Sequence, residues 1–209
     1  MEPTIITCPS CGAGHEIYNP GVITIVCEYC GNAVYWDKEK IRDAGKQSIL
    51  PEGFTRLFRG ATGRLRHRRF IVLGRVRYSF GKGFWDEWFL EFTDGAISWL
   101  TEDNHELALQ TRYKGKNLPS LEALKPGKRF AVRDIDFVVH EVGHAECLGV
   151  EGDLPREIMT GETYPFSDAS SLDGRFILGI EYDKDPPTLF LGQWLKYSDL
   201  SLDDEGLNW

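Results

Sequence analysis

Across its 209 residues the chain has no apolar run of the length a membrane-spanning helix requires, which is about 18 residues or more. Its first ten residues, MEPTIITCPS, are neither basic nor apolar enough for a secretory signal. Both absences point to a cytoplasmic location. Only five cysteines are present; without an export signal they argue against a disulfide framework and for a reducing compartment. No G-x-S-x-G elbow and no Gly-rich phosphate loop occur, which removes the usual serine hydrolase and nucleotide-binding signals. Between Gly53 and Trp85 there is no acid at all, against eight arginines and one lysine. That stretch carries +9 in a chain of net charge −8, so the remainder carries −17.

Four of the cysteines form two pairs, Cys8-Pro-Ser-Cys11-Gly and Cys27-Glu-Tyr-Cys30-Gly, separated by fifteen residues. Each C-x-x-C turn aims two thiolates at one point, and the spacing matches a four-cysteine zinc site. The glycine after each pair can turn left-handed, letting backbone amides approach the sulfurs. One C-x-x-C suffices for redox chemistry, so the doubled motif favours zinc over a dithiol. Four thiolate ligands leave no position open for water, so the single expected ion is structural. HEIY and VITIV flank Asn19-Pro20-Gly21 and predict a hairpin that joins the knuckles, with NAVYW as a third strand. Residues 1–36 thus resemble a zinc ribbon, too small to fold without its metal. His15 is adjacent but surplus. Residues 37–52 are polar and read as a linker with one helical turn. A β domain is expected over 53–200 and an acidic tail over 201–209.

Phe70–Leu100 reads as a three-strand antiparallel meander. Its runs are β-branched and aromatic, and Asp94-Gly95 is a strong turn signal. Trp88, Leu90 and Phe92 fall on one face at period two, with Glu87, Phe89 and Glu91 on the other. Thr101–Leu109 predicts a turn followed by a short strand or helix. A second β run follows at KRFAV and FVVHEVGHAECLGVEG, then an excursion from Asp153 to Gly174. A last hairpin of RFILGIEY and TLFLGQWL turns at Asp183–Pro187. RRFIVLGRVRY and IDFVVHEVGHA share an apolar rhythm, which suggests two related β halves in a barrel- or sandwich-like domain. The protein is therefore expected to be mainly β.

The motifs GRVRY…WDEWFLEFTDG…WL, HEVG…GVEGDLP…GETYPFSD and IEYDKDPPTLFLG, in that order, resemble the bacterial family domain of unknown function 4178 over most of Phe54–Leu200. The resemblance implies a fold and no mechanism. It also implies a link to membrane-stress and polyamine-related gene sets, which makes a cationic ligand worth testing.

Three stretches carry candidate chemistry. Arg64, Arg66 and Arg68 alternate and would share one face of a strand. Such a strip suits nucleic acid, a peripheral membrane contact or an acidic partner. It also suits internal pairing with Asp199, Asp203, Asp204 and Glu205. Trp85, Asp86 and Glu87 combine aromatic and carboxylate groups that suit a cation. His140-Glu-Val-Gly-His144 matches the H-E-x-x-H zincin signature. On a helix its histidines would stand about 6 Å apart; on the strand that DIDFVV predicts they stand about 13 Å apart. The third histidine of a metzincin would fall at Val150. Cys147 lies in an apolar strand register and reads as core. These readings favour a non-enzymatic zinc-ribbon adaptor for a protein partner. A nucleic-acid-binding module is the alternative, and a metallohydrolase through HEVGH is third.

Overall fold

The computed structural model describes residues 2–38, 40–46, 50, 55–81, 83–115 and 118–203. Among them the chain forms sixteen strands and no α-helix. Each cysteine knuckle closes its own hairpin. β1 (Thr4–Thr7) pairs with β2 (Gly14–Ile17) across the first knuckle, and β3 (Thr24–Val26) pairs with β4 (Asn32–Trp36) across the second. The hairpin expected between HEIY and VITIV does not form, because the knuckles themselves reverse the chain. Cys8 N donates to Ala13 O at 2.8 Å and Gly12 N to Cys8 O at 2.9 Å. The second knuckle repeats this with Cys27 N to Asn32 O at 2.9 Å and Gly31 N to Cys27 O at 2.8 Å. Asn19-Pro20-Gly21 instead links the hairpins, held by Gly21 N donating to Asn19 Oδ1 at 2.8 Å.

The segment expected as a linker carries another strand. β5 (Ile41–Lys46) pairs with β4, covering an edge that would otherwise be unpaired. Asp43 on β5 accepts hydrogen bonds from Ser10 in the first knuckle and from Asn32, which follows the second.

After β6 (Thr62–Leu65), two four-strand meanders build one closed barrel. The first is β7 (Arg68–Ser79), β8 (Phe84–Phe92), β9 (Ile97–Asp103) and β10 (Glu106–Tyr113). β11 (Arg129–Val132) leads into the second: β12 (Ile135–Leu154), β13 (Thr163–Ser171), β14 (Phe176–Glu181) and β15 (Thr188–Leu195). β10 pairs with β15 and β7 pairs with β12, so the sheet closes on itself. The two long strands that close it are the two runs with matching apolar rhythm. β13 lies inside the region expected to be an excursion: Tyr164, Phe166 and Asp168 alternate there at strand period. β16 (Leu200–Leu202), at the start of the segment expected as an acidic tail, pairs with β6.

β12 changes partners along its twenty residues. Its first part pairs with β11 and β13, its later part with β7, and its end, Asp153 and Leu154, with β3 of the ribbon. The ribbon is therefore annealed to the barrel rather than tethered. Gly74 and Gly152 face each other where β7 crosses β12. A Cβ on Gly74 would stand 2.5 Å from Asp153 O, and one on Gly152 would stand 2.3 Å from Leu73 O at a φ of +71°. Side chains here would push the closing strands apart.

A bulge at Leu73 reverses which face of β7 looks inward. Phe70 and Val72 join Trp88, Leu90 and Phe92 in a cluster on the outside of the barrel wall, covered by Leu57, Ala61, Leu65 and Leu200. Beyond the bulge, Val76 and Tyr78 turn inward with Phe89 and Trp99. Both faces of the central strand are thus buried. Phe89, expected opposite the core, lies in the barrel interior.

Candidate metal centre and barrel cavity

The knuckles bring Cys8, Cys11, Cys27 and Cys30 together, with all four sulfurs within 4.8 Å of one another. Cys8 and Cys30 Sγ are 3.8 Å apart, and Cys11 and Cys27 Sγ are 3.6 Å apart. A tetrahedron of sulfurs about 2.3 Å from a metal has edges of about 3.8 Å, whereas a disulfide needs about 2.05 Å. All five cysteines are free thiols. Burial opposes ionisation of Cys8, but the Cys11 and Ser10 backbone amides and the neighbouring thiols hold it down at about 7. The residues therefore fit a metal ion held by thiolates with no open coordination position. His15 stands outside this set, its ring edge-on to Tyr29.

The arginine strip does not form one exposed face. Arg64 is on β6 and Arg68 on β7, while Arg66 sits in the turn between them at a φ of 54°. The tight Arg66-His67 reversal breaks the alternation that a single strand would have kept. Arg66 lies 3.5 Å from Asp199, Arg68 2.9 Å from Asp94, and Arg69 2.9 Å from Asp203. Arg68 also stacks over the Phe92 ring at 3.7 Å. Arg64 remains exposed. Asp204 and Glu205 lie outside the described residues.

HEVGH lies within the extended β12. His140 occupies a bulge between Val139 and Glu141 and is exposed, as is His144. They stand four positions apart on an extended strand, about 13 Å at ~3.3 Å per residue, and neither joins a metal-ligand cluster among the described residues. Cys147 is fully buried, and burial pushes its thiol up to about 12, as befits a core side chain.

The Trp85-Asp86-Glu87 trio divides across the wall. Asp86 points outward and is buried between Arg75 and Arg77, accepting from Arg75 at 2.9 and 3.0 Å and from Arg77 at 2.8 and 2.9 Å. Trp85 and Glu87 point inward and line a cavity of about 70 Å³ to which all eight barrel strands contribute. Asp168 and Glu181 line the same cavity and were not singled out from the sequence. Their signal was a carboxylate in register with inward aromatics, as Asp168 is with Tyr164 and Phe166.

Burial pushes Asp168 up to about 8, with Glu87, Glu141 and Glu181 adding to the shift. Burial, and then Glu181, pushes Glu87 up to about 7. Burial also raises Glu181, although Arg156 opposes it. Well below pH ~4, these carboxyls are neutral in both folded and unfolded chains. As pH rises the unfolded chain ionises first, so stability falls until the folded groups ionise near 7 and 8. Unfolding free energy measured by urea denaturation should therefore decline between pH 5.5 and 8, by up to about 1.4 kcal/mol per pH unit for each group. Asp168→Asn should flatten that decline; an unchanged slope would contradict the assignment.

A closed antiparallel barrel annealed to a four-cysteine ribbon defines a β protein whose N-terminal cysteines could hold a metal ion. The chain belongs to the family described as domain of unknown function (DUF4178), which matches residues 59–197. The match spans the barrel and leaves the ribbon outside it. No curated protein and no solved structure matches the chain. No helix among the described residues is long and apolar enough to cross a membrane.

Proposed function

We propose that the protein is a non-enzymatic adaptor of the cytoplasm whose cysteines hold one structural zinc ion and whose ribbon contacts a protein partner. The observation that carries this reading is the ribbon's surface. Ile5, Tyr18 and Tyr29 are 69, 64 and 76 % exposed on the ribbon, whose second hairpin is joined to the barrel by the β3–β12 pairing. Aromatic side chains are enriched among the anchors of protein interfaces. A reducing compartment keeps the thiols available for metal.

The nucleic-acid reading is weaker, because Arg59, Arg66, Arg68, Arg69, Arg75 and Arg77 each face a carboxylate of the same chain. Cross-linking of the zinc-loaded protein in cells, followed by peptide mapping, tests the adaptor reading. Cross-links to one partner should concentrate on residues 2–36. They should be lost in Ile5→Asp/Tyr29→Asp while zinc stays at one per chain. Cross-links confined to the barrel, or retained in the double variant, would overturn it. So would nucleic-acid binding in the nanomolar range near 0.15 M salt that Arg64→Glu abolishes.

A further inference from the structure

The barrel cavity gathers more carboxyl groups than its surroundings pair. Glu87 comes from β8, Asp168 from β13 and Glu181 from β14. Arg156 pairs with Glu181 and lies 3.6 Å from Asp183. Asp168 and Glu87 have no ion-pair partner among the described residues; Glu87 accepts a hydrogen bond from Trp85 Nε1 at 3.1 Å. A second, independent feature points to a missing occupant. Tyr78 lines the cavity and is 3 % exposed, yet its hydroxyl finds no hydrogen-bond partner among the described residues. A buried hydroxyl left unpaired is costly unless something completes it.

The walls are aromatic. Tyr78 packs on Trp85 with ring centroids 5.4 Å apart and on Tyr164 at 6.0 Å, and Trp85 packs on Phe166 at 5.5 Å. Gly179 keeps the floor open, since a Cβ there would stand 3.3 Å from both Asp168 Oδ1 and Gln110 Nε2.

We propose that the barrel interior binds a primary alkylammonium ion, its N–H groups donating to Asp168, Glu87 and the Tyr78 hydroxyl and its carbon chain lying against Trp85 and Phe166. A metal ion fits less well. The carboxylate oxygens of Glu87, Asp168 and Glu181 do not form a cluster within 4.8 Å of one another, as the four thiols do. An ammonium nitrogen meets its acceptors at about 2.7–3.2 Å, against about 2.0–2.6 Å for a hard metal ion, so it suits a wider set of acceptors, and its apolar tail suits the aromatic wall. The aromatic faces add cation–π attraction. This site is independent of the ribbon and of the adaptor reading.

Titration calorimetry of the zinc-loaded full chain with n-butylammonium chloride tests the proposal, with n-butanol and magnesium chloride as controls. Saturable binding of the amine alone is expected. Asp168→Asn and Glu87→Gln should each weaken it at least tenfold, and Gly179→Ala, which narrows the cavity without changing charge, should weaken it too. The groups facing Asp168 and Glu87 are Glu141, Glu181, Arg156 and Tyr78. Protons on the two carboxyls compete with the amine, so affinity should rise from pH 6 to 8.5. Absence of saturable binding, equal binding of butanol, or preferential binding of magnesium would overturn the proposal. Unchanged affinity in the natively folded variants would do the same, and Gly179→Ala serves if the charge variants do not fold.

Discussion

Cys27→Ser is expected to release the bound metal and melt the ribbon. Cys27 is 1 % exposed within a small cluster of Ile6, Ile17, Val22, Ile25, Val34 and Trp36. That cluster is too small to hold two hairpins by apolar burial alone. Structural zinc supplies about 10–16 kcal/mol of apparent binding free energy in comparable small sites, and here that energy would be folding energy. Metal analysis should read one zinc per chain in the parent protein and a deficit in Cys27→Ser.

Hydrogen exchange should show protection lost over the described part of residues 2–46. The effect should also reach the barrel's edge, because Asp153 and Leu154 pair with Ile25 and Thr24, and Tyr35 donates to Ile158 O at 3.2 Å. The rest of the barrel has its own clusters and should stay protected. Retention of full zinc content in the variant, or unfolding of the whole chain, would contradict this account.

Asp86→Ala should be the most damaging single change in the barrel wall. Asp86 is 4 % exposed and bridges Arg75 and Arg77, which are 5 and 2 % exposed. Removing the carboxylate leaves two buried guanidiniums without their shared counter-charge. Breaking a buried ion pair in this way costs about 3–5 kcal/mol. Glu151 stands 3.8 Å from Arg75, and Arg75 and Arg77 lie over the Trp88 and Phe84 rings at 4.8 and 4.2 Å. Those contacts do not replace a bidentate carboxylate. Urea denaturation should show the midpoint falling accordingly; a loss below about 1 kcal/mol would mean that the guanidiniums regain water.

The WDEW stretch shows how strand alternation divides chemistry. Three consecutive residues, read from the sequence as one cationic-ligand candidate, serve two sites on opposite faces of β8. Asp86 is structural, locked to arginines of the neighbouring strand. Trp85 and Glu87 face the cavity.

The four-cysteine cluster was legible from spacing alone, because a C-x-x-C-G turn is a local object whose geometry its own hydrogen bonds fix. The β character was legible too, since alternation and Gly-containing turns are written within each strand pair. The strand state of HEVGH followed in the same way from the β-branched run before it. The choice between barrel and sandwich was not legible, because closure depends on β12 exchanging one partner for another along its length and on two glycines allowing β7 to cross it. Nor was the cavity, because Glu87, Asp168 and Glu181 are distant in sequence and converge only once the sheet has closed. A bulge of one residue at Leu73 decides which side chains of β7 look inward. Local rules fix each strand, but which face becomes an interior is set by long-range pairing, and a single extra residue reverses it.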